Sequence, residues 1–193
     1  MLPILLASSS PYRRLILAKL GIAFEWASPD LDESPLADES AQKLVWRLSH
    51  AKAQTFASTH PSALIIGSDQ VAVLDNQILS KPLTHECAFA QLRSASNCTV
   101  IFKTGLCLLN TQTGKAQIAV DDFCVHFRRL TDEQIHNYLN LEKPYDCAGS
   151  FKVEGLGISL FSKLSGDDPN SLIGLPLIRL IEMLGNEGID PLL

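Results

Sequence analysis

The chain has 193 residues, 46% of them hydrophobic and 19% charged, with a formal net charge of −5. This length and balance fit one globular domain with a large core and argue against a disordered tail. The acidic excess argues against general nucleic-acid binding, which leaves a basic footprint, and no apolar run is long enough for a membrane span.

Met1-Leu2-Pro3-Ile4-Leu5-Leu6 lacks a basic start and runs into Ser8-Ser9-Ser10, so no signal peptide is expected. Cys87, Cys98, Cys107, Cys124 and Cys147 form no C-x-x-C pair, and the five histidines show no ligand spacing. Reduced thiols in a cytoplasmic protein are the simple expectation.

In chain order, Pro3 to Ala7 predicts a strand, followed by a helix with Ser10 as N-cap, Pro11 at its first position and Gly21 as its stop. A serine-rich turn feeding a helix N-terminus is a potential phosphate site, to which Arg13 adds a bidentate donor. An ordinary capped helix with solvated arginines is the alternative. Phe24 to Ala27 predicts a short strand, and Ser28 to Pro35 a loop with carboxylates at Asp30, Asp32 and Glu33. Ser40 to Ser58 predicts a helix with an inward stripe through Leu44, Val45 and Leu48. Lys52 lies on or beside that stripe, either snorkelling or pointing into a pocket that holds an anion.

Leu64 to Leu74 is aliphatic except for Ser68-Asp69-Gln70. Read as one buried strand, it places a carboxylate where it costs several kcal/mol unless partnered, so Asp69 requires a cation, a metal or a wet cleft. Read as two strands, it makes Asp69 a turn residue. From these residues alone both readings stand.

Asp75-Asn76 predicts a hairpin into Ile78-Leu79, followed by Lys81 and then a helix over 84–95 with Leu83, Ala88 and Leu92 inward. Two long strands are expected at 99–110 and 115–127. A capping box at Thr131 opens a helix to about Leu141. Gly149, Gly155 and Gly157 mark close backbone approach or positive φ, and Lys152 and Glu154 share a face if the segment is extended. A strand at 158–161, a turn at 167–170 and an amphipathic helix from Pro176 to Gly185 complete the chain. The expected fold is a single α/β domain over 1–193, with a mixed, twisted central sheet flanked by helices and two lobes around a cleft.

Arg13, Lys52 and Lys81 are cations near element ends, Ser8 and Ser9 are donors, and Glu33 and Asp69 are carboxylates. Cations and carboxylates together fit a metal–polyphosphate ligand, and the absence of G-x-x-x-x-G-K-[ST] excludes a P-loop. The motifs Ala7-Ser8-Ser9-Ser10-Pro11-Tyr12-Arg13-Arg14, Asp32-Glu33, Lys52-Ala53, Gly67-Ser68-Asp69-Gln70, Lys81-Pro82 and Gly149-Ser150-Phe151 with Glu154-Gly155 resemble, in order and spacing, the Maf family of nucleoside triphosphate pyrophosphatases. The likeness runs from residue 2 to about residue 185.

The resemblance implies hydrolysis between the α- and β-phosphates of a nucleotide, a divalent metal (Mg, Mn or Co), a cytoplasmic home, a homodimer and a fold like that of the ITPases. It makes Asp69 the proton acceptor and sets Ser8, Arg13, Glu33, Lys52 and Lys81 at the family's other polar cleft positions. From their chemistry Ser8, Ser9, Arg13, Lys52 and Lys81 are expected to bind phosphate, and Glu33 and Asp69 to hold the metal. Tyr12, Gln70 and Glu154 fall at the positions that separate the family's branches, and they resemble the 7-methyl-GTP branch. Tyr12 stands where that branch usually carries Trp. A carboxylate accepts from the N–H edge of guanine, and an aromatic face suits a methylated, cationic base. The other readings are a dTTP/UTP pyrophosphatase of the same family, a nucleotide-binding regulator of cell division without turnover, and a phosphatase that releases single phosphates.

Overall fold

The computed structural model describes residues 2–193. Its strands are β1 (Ile4–Ala7), β2 (Glu25–Ala27), β3 (Leu64–Leu74), β4 (Gln77–Leu79), β5 (Thr99–Asn110), β6 (Lys115–Phe127) and β7 (Phe161–Ser165). The α-helices are α1 (Pro11–Ala18), α2 (Ala41–Gln54), α3 (His85–Ala95), α4 (Asp132–Glu142), α5 (Pro169–Ile173) and α6 (Leu177–Asn186). The seven strands form one mixed sheet in the order β2-β1-β3-β5-β6-β7, with β4 added to β3. β1 runs parallel to both β2 and β3, and β4 and β7 are antiparallel to their neighbours. The expected α/β class with a mixed sheet is what the chain adopts.

Residues cluster into two compact units. One runs to Gln70 and takes in Thr104–Asp121 and Asp168–Leu193; the other comprises Val71–Lys103 and Asp122–Asp167.

In the first unit, strand alternation sorts one sequence run into two cores. Ile4 and Leu6 of β1, Leu64 and Ile66 of β3, and Leu106 and Leu108 of β5 pack with Ile16 and Leu17 of α1 and Leu180 and Leu184 of α6. Their strand neighbours Leu5, Ala7, Ile65, Cys107 and Leu109 join Ala53 of α2. Helix α2 lies on the sheet backbone itself. A Cβ at Gly67 would fall 2.1 Å from the Ser49 carbonyl oxygen, and one at Gly105 would fall 2.1 Å from that of Val45. Only glycine leaves room for that approach.

The loop ahead of α2 is tied down by Arg47. Its guanidinium holds both carboxylate oxygens of Glu39, each at 2.7 Å, and the Ser34 carbonyl at 3.1 Å. The Leu36 N–H also donates to Glu39.

In the second unit, Asp75 and Asn76 both take positive φ, as a tight hairpin between β3 and β4 demands. Phe102, Phe127, Phe151 and Phe161 stack edge to face, the closest pair being Phe151 and Phe161 at 4.8 Å.

Several local expectations are corrected. Leu83 does not point inward. It is 74% exposed with φ +62, because Thr84 caps α3 and leaves Leu83 outside the helix. Segment 158–161 is not a strand. Leu156–Leu160 is a 3-10 helix, and ladder pairing with β6 begins at Phe161. The preceding Gly155 to Gly157 turn folds onto the Lys152 carbonyl, where a Cβ at Gly157 would lie 2.3 Å away, so residues 152–154 are not extended and give Lys152 and Glu154 no common strand face. Residues 167–170 do not form a mere turn, since Asp168 caps the short helix α5 with Pro169 at its first position. Gly185 does not stop α6; buried Met183 and Leu184 carry the helix to Asn186, and a single glycine costs only about 1 kcal/mol.

Replacing Gly67 by Ala should cost about 1–3 kcal/mol, the usual cost of overpacking a core, and lower the urea midpoint accordingly. An unchanged midpoint would show that α2 can lift off the sheet freely. The bidentate Arg47 contact lowers the Glu39 pKa to about 2. A carboxylate lowered in the folded state stabilises it above the ordinary carboxylate range, and this contribution fades as pH falls toward 2. NMR titration should find the Glu39 carboxyl titrating there, and Arg47→Ala should return it to the ordinary range.

Candidate active site

The site begins where β1 ends. The β1–β3 ladder stops at Ala7 opposite Gly67, and the chain turns through Ser8-Ser9-Ser10 into α1. Ser8 is buried and its Oγ accepts from the Ser10 N–H at 3.1 Å. Ser10 caps α1 by accepting from the Arg13 N–H at 3.3 Å. The expected anion site at this helix end is therefore partly filled by the serines themselves, and Ser9 is exposed.

Arg13 is half-buried. Its Nε donates to the Gly174 carbonyl at 2.8 Å, which leaves the terminal nitrogens of the fork to face other groups. Burial lowers the guanidinium's pKa, while the negative charges of Asp69 and Glu33 act against that. Arg14 instead stacks over the Trp26 ring at 4.0 Å. Tyr12 stands half-buried in the first turn of α1, next to Arg13.

β3 runs unbroken through Ser68, Asp69 and Gln70, so the single-strand reading holds and no turn interrupts it. The partner that a buried Asp69 requires is Lys52. Lys52 is 5% exposed and Asp69 6%. The Lys52 ammonium lies 2.6 Å from Asp69 Oδ1 and 2.9 Å from Glu33 Oε1. Glu33 reaches it from a side chain that is 55% exposed, so it is the carboxylate of the pair that solvent can replace. Arg13, Lys52, Asp69 and Glu33 thus sum to zero formal charge.

Adjacent residues on a strand face opposite ways. Ser68 and Gln70 accordingly meet a different set of partners from Asp69. Ser68 Oγ contacts the carbonyls of Gly105 and Gly174 at 2.9 and 2.8 Å. Gln70 Nε2 donates to Thr104 Oγ1 at 2.8 Å and to the carbonyls of Ser171 and Leu172 at 2.7 and 3.1 Å. The segment bearing these carbonyls is fixed by Asp168, which is 1% exposed. One of its oxygens accepts from the Asn170 N–H, and the other from the Ile178 N–H. Sequence reasoning misses Thr104 and Ser171 and sees Asp168 only as part of a turn. The signals that could find them are a hydroxyl in the middle of the apolar β5 and an Asp-Pro helix start.

The remaining expected residues lie in the second unit. Lys81 is exposed and follows Ser80, whose carbonyl is held by Gln91. Ser150 is buried and donates to Gln91 Oε1 at 2.6 Å, and Phe151 belongs to the aromatic core. Glu154 is exposed, and among the described residues it makes no ion pair with Lys152. Among the described residues no three His, Cys, Asp or Glu side chains cluster as a preformed metal cage. Glu33 and Asp69 remain as two convergent carboxylates. Such a set suits Mg²⁺, which is usually held by one or two carboxylates together with substrate phosphates.

The sequence matches the family described as "Maf-like protein" over residues 3–187. It is 58% identical over 185 residues to a protein of Nitrosococcus oceani named "7-methyl-GTP pyrophosphatase", covering 96% of this chain and 93% of that one. Proteins of the same name from Pseudomonas aeruginosa and Pseudomonas fluorescens are 56% and 57% identical, covering 97% and 98% of this chain and 97% and 99% of theirs. A match spanning nearly the whole chain, with Asp69, Lys52, Glu33 and Arg13 gathered at the end of β1, places this protein in the Maf-like family.

Proposed function

We propose that the protein is a nucleoside triphosphate pyrophosphatase that hydrolyses the α–β phosphoanhydride of 7-methyl-GTP, yielding 7-methyl-GMP and pyrophosphate. The observation that carries this reading is the buried Lys52 held between Asp69 and Glu33, with Arg13 anchored beside them. The names of the relatives over nearly the full length support the substrate.

The chemistry follows from this chain's groups. Asp69 Oδ1 is committed to Lys52, and the other carboxylate oxygen takes the proton of the attacking water. Lys52 holds that carboxylate in place through its contact with Oδ1 at 2.6 Å. Arg13, held at Nε, offers its terminal nitrogens to phosphate oxygens as charge builds on them. Ser8 and Ser9 add hydroxyls, and Lys81 adds a further ammonium for the phosphates. Tyr12 and Glu154 are assigned to the base, as an aromatic face and an acceptor for the guanine N–H edge.

A triphosphate adds more negative charge than a charge-balanced set of four side chains can neutralise. A divalent cation (Mg, Mn or Co) held by Glu33 and Asp69 would supply the balance and make a bound water more acidic. A cytoplasmic home and a homodimer complete the proposal. All five cysteines are free thiols, which suits a reducing compartment, and no helix of the described residues is long and apolar enough to cross a membrane. Leu141, Leu156 and Ile158 are exposed apolar side chains available to a second copy.

The test is a panel of 7-methyl-GTP, GTP, dTTP and UTP with each metal, with the products identified. Pyrophosphate from 7-methyl-GTP is expected first. Faster turnover of dTTP and UTP would move the protein to the other branch, orthophosphate would make it a simple phosphatase, and binding without turnover would favour a regulator. Asp69→Asn should lower the rate by about 10²–10⁴-fold while the fold persists; near-normal rates would remove Asp69 from its role. Lys52→Met should cost about 3 kcal/mol in urea unfolding, because it strands a buried carboxylate, and adding Asp69→Asn should recover much of that loss. Additive losses would show that the two side chains are not coupled.

A further inference from the structure

We infer that Thr104 is a positioning residue, which fixes the Gln70 amide so that its oxygen alone faces a ligand and only a hydrogen-donating base edge is accepted there. The inference rests on the proposed nucleotide substrate and adds how one side chain would select its base.

The chemistry turns on counting hydrogens. Thr104 is fully buried, and its hydroxyl has one proton, which goes to the Ser171 carbonyl at 2.9 Å. Toward Gln70 the same hydroxyl can only accept. The other two partners of that amide are the carbonyls of Ser171 and Leu172, which carry no hydrogen. All three neighbours are acceptors between 2.7 and 3.1 Å. The amide nitrogen must face them, and its two hydrogens are used there. A flipped amide would set an oxygen against three oxygens and lose every bond. What Gln70 offers outward is therefore Oε1, an acceptor with no donor beside it. The segment bearing the carbonyls cannot turn to suit a flipped amide, because Asp168 ties its start to α6 through the Ile178 N–H at 2.8 Å.

A guanine edge carries N1–H and N2–H₂ donors and can satisfy that oxygen. An adenine edge has a single donor group, N6–H₂, with the N1 lone pair beside it where guanine carries N1–H next to N2–H₂, so it meets that oxygen with one donor and one repelling lone pair instead of two donors. A ribose hydroxyl could donate as well, but the ribose is the same in both nucleotides and would give no preference between them.

The experiment is calorimetric binding of the α,β-methylene analogues of GTP and ATP, neither of which can be cut at the α–β bridge, with Mg²⁺ present. The wild-type protein should bind the guanine analogue at least ~10-fold more tightly. Gln70→Met, which keeps length and removes the amide, should lower that ratio by about 10-fold. Thr104→Val should lower it by about threefold, and Thr104→Ser should retain it. A purely structural role for Thr104 would weaken both analogues equally and leave the ratio unchanged. A ratio unchanged in either Gln70→Met or Thr104→Val, or no preference in the wild-type protein, overturns the inference. Should Thr104→Val fail to fold, Thr104→Ala removes the same hydroxyl and is expected to lower the ratio by about threefold, an unchanged ratio again overturning the inference. Pyrophosphate release from 7-methyl-GTP is read separately. Release without a base preference would sink this inference and leave the proposed reaction standing, and a preference without release would do the reverse.

Discussion

An ammonium group almost out of reach of solvent, shared between two carboxylates, is the constraint on which the first unit depends. Asp69 sits on a strand whose neighbours are aliphatic, and an ionised carboxylate there is tolerable only with a charged partner at contact distance. Lys52 supplies it at 2.6 Å, and its own burial is tolerable for the same reason. Neither side chain makes sense alone. Glu33 is different in kind. It reaches the same ammonium from solvent, so giving up its contact costs little. A rigid pair with one replaceable third member suits a site that must exchange one set of negative charges for another.

The rigidity has a backbone origin. Lys52 can meet β3 only because α2 lies against main chain at Gly67 and Gly105, with no side chain between. Glycine at those two positions and the Lys52–Asp69 contact are parts of one arrangement, in which the close approach sets the reach of the lysine. The end of β1 at Ala7 matters equally. Past it, β3 continues without its parallel neighbour, and its polar residues occupy that stretch. Polar groups beyond the carboxyl end of a parallel strand, beside the N-terminus of the following helix, are where open α/β sheets characteristically hold anionic ligands.

A second ordering element is the short segment from Asp168 to Gly174. Its carbonyls receive Arg13, Ser68 and Gln70, three side chains that come from two distant parts of the sequence. Gly174 turns with φ +112 to present its oxygen to two of them. Asp168 holds the start of this segment, and in that sense a buried carboxylate outside the expected site organises several residues within it.

Much was determined by local chemistry. The alternation along β1, β3 and β5, the caps at Ser10, Ser40, Thr84 and Thr131, and the Asp75-Asn76 hairpin all follow from residue type and spacing, which act over a few residues. The order of short polar motifs was enough to point to the family and to Asp69, Lys52, Arg13 and Glu33. The tertiary structure decided what depends on groups far apart in the chain. It chose the unbroken strand over a turn at Asp69, because the carboxylate's partner is a helix residue 17 positions away. It made a 3-10 helix of Leu156–Leu160, because pairing with β6 begins only at Phe161. It also made a capped helix of the segment after Asp168, whose role emerges only once distant side chains need carbonyls to bind.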